Sequence, residues 1–153
     1  MLKALINQYK FERARAAKHA IVDLLDAVLP PLPDGVTIVP VPTIPPHIRQ
    51  RGYDHMALVA RGFARRRQLS YRAAIQRASN TIQHGTTRAT RLRQAKQAFE
   101  CGDVPPGIYL LVDDVYTTGA TVRYAADVLL RAGATEVWIA VVSRQPFSRT
   151  ANV

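Results

Sequence analysis

The 153-residue chain has one cysteine, Cys101. That excludes an internal disulfide and any cysteine-built zinc cage, and it suits a reducing compartment. Cys101 reads as an ordinary small residue rather than a nucleophile. No run of about 18 apolar residues occurs, so no segment reads as a membrane span. Residues 1–30 carry charge throughout, unlike a secretory signal peptide, and a cytoplasmic protein is expected. Two phosphate-loop patterns are missing as well. None of the eight glycines precedes a lysine, which excludes a Walker-type loop, and no Gly-x-Gly-x-x-Gly follows a strand pattern. A nucleotide kinase, an ATPase and a dinucleotide-dependent enzyme are therefore disfavoured.

Acids are scarce too, with 11 Asp and Glu against 21 Lys and Arg, a net charge of +10. The imbalance is local. Between Arg49 and Lys96 stand eleven arginines and one lysine against a single acid, Asp54, while the rest of the chain is nearly neutral. Such a concentration points to a polyanionic partner, either nucleic acid or a phosphate-rich small molecule, with a solvated arginine-rich surface as the plainer alternative.

The length suits one domain with one core. Leu2, Leu5, Ile6 and Tyr9, then Ala17, Ile21, Leu24, Leu25 and Val28, recur at helical spacing, predicting a helical segment over residues 1–30 that ends at Pro30, Pro31 and Pro33. "VTIVPVP" reads as a strand from Val36 to about Pro40. Met56, Val59, Ala60 and Phe63 predict a helix from Asp54 to Arg67 with Asp54 as its cap. "SYRAAIQR" is a weak strand pattern. Residues 78–91 lack apolar periodicity and read as an exposed, flexible segment, followed by a short helix from Thr90 to Ala98. "IYLLVDD" is a near-continuous apolar strand of the kind buried in parallel sheets. A helix from about Ala120 to Arg131, closed by Gly133, and a last strand in "EVWIAVVS" complete an α/β pattern with parallel pairing.

The stretch "LLVDDVYTTGATV", Leu110 to Val122, carries the chemistry. Ligands of open parallel sheets bind beyond the carboxyl ends of strands. Asp113 and Asp114 stand at such an end. The first turn of the following helix offers unpaired amides and the positive end of a dipole, so Tyr116 to Thr121 can surround a phosphate. Gly119 lets the backbone approach, and Thr117, Thr118 and Thr121 add hydroxyls. The carboxylates are acceptors, suited to sugar hydroxyls or to water on a magnesium ion. Together these features ask for a ribose 5-phosphate. The plainer reading, two acids that merely cap a helix, leaves the second carboxylate unexplained.

These residues carry a resemblance. "LLVDDVYTTGATV" resembles the phosphoribosyl pyrophosphate (PRPP) signature of type I phosphoribosyltransferases. "VPVPTIPPHIRQRGYDHMALVA", the amino-terminal "LKALINQYKF" and the pattern Gln83, Arg91, Ala98, Phe99 are similar to the ComF subgroup. The resemblance implies a three-layer α/β fold with a mostly parallel central sheet and a flexible hood, formed by a single domain over residues 1–153 with the hood at 78–101. It departs from the subgroup in lacking the four-cysteine zinc module, in Gln94 and in Asp54, where the subgroup has Asn.

Carried over residue by residue, the resemblance implies that Asp113 and Asp114 are catalytic and bind the ribose hydroxyls. Val115, Tyr116, Thr117, Thr118, Gly119, Ala120 and Thr121 would form the PRPP loop, with Tyr116 either flanking the ribose or packing under the helix. Nearby carboxylates favour an oxocarbenium-like transition state. The leaving pyrophosphate would be neutralised by Mg²⁺ that arrives with PRPP rather than in a protein cage, and by Arg49 and Arg51. The hood would exclude water, and His84 within it is a candidate ligand contact. His19, His47 and His55 are too scattered for metal-ligand spacing, and Trp138 reads as core. A rival reading is a non-enzymatic adaptor that holds single-stranded DNA through Arg65, Arg66, Arg67, Arg88, Arg91 and Arg93. It follows from the association of ComF-like proteins with DNA uptake, and a protein of the competence machinery is a further partner it implies. A PRPP-sensing regulator on the same fold is a third. The first helix is a candidate dimer surface.

Overall fold

A computed structural model describes residues 16–78, 99–116 and 119–144; for Gln50, Arg51, Val115, Tyr116 and Arg144 the backbone alone is described. Thr117, Thr118, Gln83, His84, Arg88, Arg91, Arg93 and the helix expected at 90–98 lie outside the described residues, as does most of the expected hood. Helix α1 covers residues 16–28 of the described chain. It is followed by β1 (Thr37–Pro40), α2 (Pro45–Arg51), α3 (His55–Arg66), β2 (Ser70–Tyr71), β3 (Ile75–Arg77), β4 (Phe99–Cys101), β5 (Ile108–Tyr116), α4 (Ala120–Arg131) and β6 (Glu136–Arg144).

Four strands form one sheet in the order β2-β1-β5-β6, and every pairing in it is parallel. The apolar run of β5 occupies a central position, so both of its faces are covered. Alternation divides them. Leu110 and Val112, with Ile38 of β1, pack under α1 and α3 against Val22, Leu25, Val59 and Phe63. Tyr109 and Leu111, with Val39, pack on the other face against Val122, Ala125 and Leu129 of α4. The three layers implied by the resemblance are thus helix pair, sheet and single helix, with the small sheet of β3 and β4 beside α4.

Two arginines clamp the helix pair. Arg66 Nη1 donates to Asp23 Oδ1, and Arg67 Nε to Asp26 Oδ1. The Arg67 guanidinium also donates to three carbonyls at the end of α1, those of Asp26 (2.6 Å), Leu29 (3.0 Å) and Pro30 (3.2 Å). These are the acceptors a helix C-terminus leaves unpaired. On the other face Gly133 closes α4 at φ +117°, where a Cβ would stand 2.7 Å from the Val104 carbonyl oxygen, so only glycine fits without a shift.

Several boundaries differ from the sequence expectation. β5 runs two residues beyond the acids, because Val115 and Tyr116 still pair with Ser143 and Arg144 of β6. The acids therefore lie within the strand rather than just past it. "SYRAAIQR" divides into β2, an edge strand of the large sheet, and β3, which pairs antiparallel with β4. Residues 45–51, for which the sequence reading named no helix, form α2, with Pro45 at the first position presetting the helical φ. Trp138 is a boundary residue rather than a core one, with Nε1 donating to Glu136 Oε1 at 2.6 Å. Cys101 is half-buried, and burial pushes its thiol pKa up, which disfavours the reactive thiolate. Among the described residues no helix is long and apolar enough to cross a membrane.

Candidate functional site

The carboxyl ends of β1 and β5 open into a cavity of about 220 Å³. Its walls come from the loop after β1 (Val41 to Ile44), from His47 on α2, His55 and Met56 on α3, Arg77 on β3, and Asp113, Asp114 and Thr121. Asp113, Asp114 and Thr121, all named as candidates from the sequence, line this cavity together.

The two acids differ in burial. Asp113 belongs to the α4 face and is buried, with 8% of its surface exposed; its Oδ1 accepts from the Asp114 amide at 2.9 Å. Burial raises its pKa from the usual carboxylate range to about 6; the neighbouring Asp114 charge adds to the rise, while the Asp114 amide and the Arg77 cation oppose it. Asp114 belongs to the helix-pair face, where its Oδ2 lies 3.0 Å from Nε2 of His55. Its side chain keeps 45% of its surface exposed, so it is the solvent-facing acid of the two.

Two capping arrangements hold the walls. Asp54 Oδ1 accepts from the amides of Met56 (3.0 Å) and Ala57 (3.1 Å), as expected for the cap of α3, and from the Thr43 hydroxyl at 2.9 Å. The last bond ties the loop after β1 to the start of α3 and so aims His55 at the strand end. Arg77 donates from Nε to the Pro42 carbonyl at 2.9 Å and stacks on Phe99, 4.9 Å from the ring centroid. Burial lowers the pKa of its guanidinium, opposed by Asp113. Arg77 is thus a positioned cation beside the buried acid.

The amino end of α4 forms the remaining side. Gly119 occupies its cap at φ +74°, and its first turn holds no acid. An anion there meets a favourable dipole without competition from an acid in the first turn of the helix. Arg49 is exposed on α2 and does not line the cavity, whereas His47 of the same helix does. Arg51 ends α2, with only its backbone described. Of the arginines considered for nucleic acid, Arg65 is exposed, while Arg66 and Arg67 are engaged with α1.

A model of the phosphoribosyl transferase domain matches residues 67–151, more than half of the chain. The chain belongs to the phosphoribosyl transferase domain family. This phosphoribosyl transferase domain is 34% identical over 149 residues to "DNA utilization protein YhgH" of Salmonella typhi, covering 90% of this chain and 65% of that protein. It therefore spans less than two thirds of that relative. Among solved structures it resembles an allosteric regulatory enzyme of purine biosynthesis (TM-score 0.57, 20% identity, 85% of this chain and 26% of that one). It also resembles the orotate phosphoribosyltransferase of Aeropyrum pernix (TM-score 0.52, 20% identity, 85% of this chain and 72% of that one). At that identity the two structures establish the fold.

Sequence reading had overlooked Arg77, His47, His55 and Thr43 as a set. Arg77 stands in a pattern with no motif, and its approach to Asp113 depends on the pairing of β3 with β4. For His55 a signal existed, since it directly follows the cap of a helix whose stripe faces the sheet.

Proposed function

We propose that this phosphoribosyl transferase domain binds PRPP with Mg²⁺ and transfers the phosphoribosyl group to an acceptor, in the manner of the ComF type. One observation supports this most: a buried acid, a positioned arginine and the first turn of α4, through Thr121, converge on one cavity at the carboxyl end of a parallel sheet. In this reading the amides of residues 119–121 and the Thr121 hydroxyl hold the 5-phosphate. Asp113 and Asp114 accept from the ribose hydroxyls and favour the positive charge that develops at the anomeric carbon. Arg77, which lines the cavity, joins Arg49 and Arg51 as a candidate cation for pyrophosphate.

The donor set suits a metal carried by the ligand. Asp113 and Asp114 both line the cavity, as acceptors for water on such an ion. Mg²⁺ bound to PRPP would neutralise the leaving pyrophosphate, with Asp113 or Asp114 accepting from its water. The basic stretch and the printed name of the Salmonella typhi relative favour a role in DNA utilisation, with single-stranded DNA or a DNA-handling protein as partner. A cytoplasmic location and a homodimer through the first helix belong to the same proposal.

Calorimetric titration with PRPP and Mg²⁺ tests the reading. Saturable binding that Asp113→Asn weakens is expected. Absence of binding by the parent chain would remove it. Titration with a single-stranded oligonucleotide at two salt concentrations tests the adaptor reading, which requires affinity that falls steeply with salt and weakens in Arg65→Ala.

A further inference from the structure

A cavity of about 310 Å³ lies at the opposite end of the sheet from the candidate site, where β1, β2 and β5 begin. The two have no described residue in common. It is also separate from the space between α1 and α3, which borders the candidate site through His55 and Asp114.

Three hydroxyl-bearing residues form a row across this cavity. Thr37 of β1 is the pairing partner of both Ser70 in β2 and Tyr109 in β5, so the three stand side by side on adjacent strands and leave the sheet on one face. Tyr109 Oη donates to the Pro105 carbonyl at 2.8 Å, which fixes its proton and leaves the oxygen as an acceptor. Arg72 supplies the charge. It follows Ser70 by two residues, and its amide continues the parallel ladder by donating to the Ile38 carbonyl at 3.0 Å, so its side chain leaves on the side of the hydroxyl row. Arg72 is exposed and no described acid pairs with it. Asp103, whose charge reaches the Cys101 thiol as that of Arg72 does, does not line the cavity. Tyr71 does, and the Arg61 guanidinium carbon stands 5.0 Å from its ring centroid, a second cation close to the same wall.

The charge balance selects an anion, and a guanidinium beside hydroxyls matches the acceptor oxygens of a phosphate monoester. The volume asks for a body on that phosphate, since a water takes about 30 Å³ and a bare ion would leave most of the space to solvent. That body is hydroxylated rather than aromatic: Arg61 covers the Tyr71 ring, the Tyr109 ring is packed in the core, and what remains on the wall is a row of hydroxyl oxygens. We infer that this cavity is a second ligand site, for a sugar phosphate whose phosphate meets Arg72 and Ser70 and whose hydroxyls meet Thr37 and Tyr109 Oη. With no described carboxylate or imidazole in its lining, the site holds its ligand without a proton acceptor for group transfer. It stands independently of the PRPP reading.

Glucose 6-phosphate, glucose and inorganic phosphate, titrated separately into the isotope-labelled protein with saturating PRPP and Mg²⁺, test this by amide NMR. Glucose 6-phosphate should bind about tenfold or more tighter than either of the others, with shifts centred on Thr37, Ser70 and Gly107. Arg72→Gln should weaken it about tenfold or more and Ser70→Ala about threefold, both at exposed positions that leave the fold intact. PRPP affinity of both variants should stay within about twofold, because the two cavities are built from different residues. A parent chain that does not bind glucose 6-phosphate, shifts confined to residues 119–121, or binding that neither substitution alters overturns the inference. Inorganic phosphate that binds as tightly as glucose 6-phosphate overturns it too, by reducing the site to one for a bare anion. A parent chain that binds glucose 6-phosphate in an Arg72-dependent manner yet ignores PRPP keeps this site and removes the PRPP reading instead.

Discussion

Asp113 and Asp114 line one cavity in unlike settings: one is buried near Arg77, and the other, partly exposed, meets His55. The pleat of a strand favours this, since successive side chains leave it in opposite directions. It gives the two acids different work. Asp113 is a desolvated acid beside the start of α4, and Asp114 is a partly exposed one between two cavities.

The buried acid makes stability depend on pH. The folded-state pKa of Asp113, about 6, lies above its unfolded value, so the folded protein binds the extra proton between about pH 4 and 6. This contribution is greatest below that window and is lost as pH rises through 6. Asp113→Asn, which keeps an acceptor for the Asp114 amide, should raise stability at pH 8 by up to about 3 kcal/mol and change it little at pH 4. Thermal unfolding of both proteins at the two pH values measures the gap, and an equal gap at both contradicts the assignment.

Arg77 holds that pKa down. Removing its charge while keeping its bulk, as in Arg77→Met, should move the Asp113 titration midpoint above 6, because the opposing cation is gone while burial remains. Carboxyl-carbon NMR titration of Asp113 reports the shift. A midpoint that falls or stays put contradicts the pairing.

His55 and Asp114 should act as a unit on ligand. Either His55→Ala or Asp114→Asn should weaken PRPP binding about tenfold, the effect of one hydrogen bond to a charged group. The double variant should lose little more than the worse single one. Fully additive losses in a double-mutant cycle would show that the 3.0 Å contact is incidental to binding.

Arg65 and Arg67 are close in sequence and should be unlike in consequence. Arg67→Ala removes the donors that close α1, so it should lower unfolding free energy by about 2–3 kcal/mol in urea. Arg65→Ala, at an exposed position, should stay within about 0.5 kcal/mol. Comparable losses in both would contradict the clamp.

Much of this architecture is legible in the sequence because its signals are local. Leu110 to Val112 form an unbroken apolar run, Asp54 precedes an apolar stripe, and Gly133 follows one, so the central strand and both flanking helices declare themselves. The acids and the turn before α4 follow from one contiguous motif. The rest depends on contacts far apart in the chain. Arg77 reaches Asp113 only through the pairing of β3 with β4, and His55 reaches Asp114 only because Thr43 and Asp54 set the angle at which α3 begins. The charge count also misleads locally: Arg66 and Arg67 look like part of a polyanion-binding stretch, but Asp23 and Asp26, some 40 residues earlier, engage them.

The central claim is that the cavity at the carboxyl end of β5 holds a phosphorylated ribose through Asp113 and the amino end of α4. The most direct measurement is the calorimetric affinity for PRPP with Mg²⁺ at pH 7.5, for the parent chain and for Asp113→Asn. The account predicts saturable binding by the parent at one site per chain and a loss of about tenfold or more in the variant. A parent chain that releases no heat and shows no thermal stabilisation by PRPP, or a variant that binds as tightly as the parent, would contradict it.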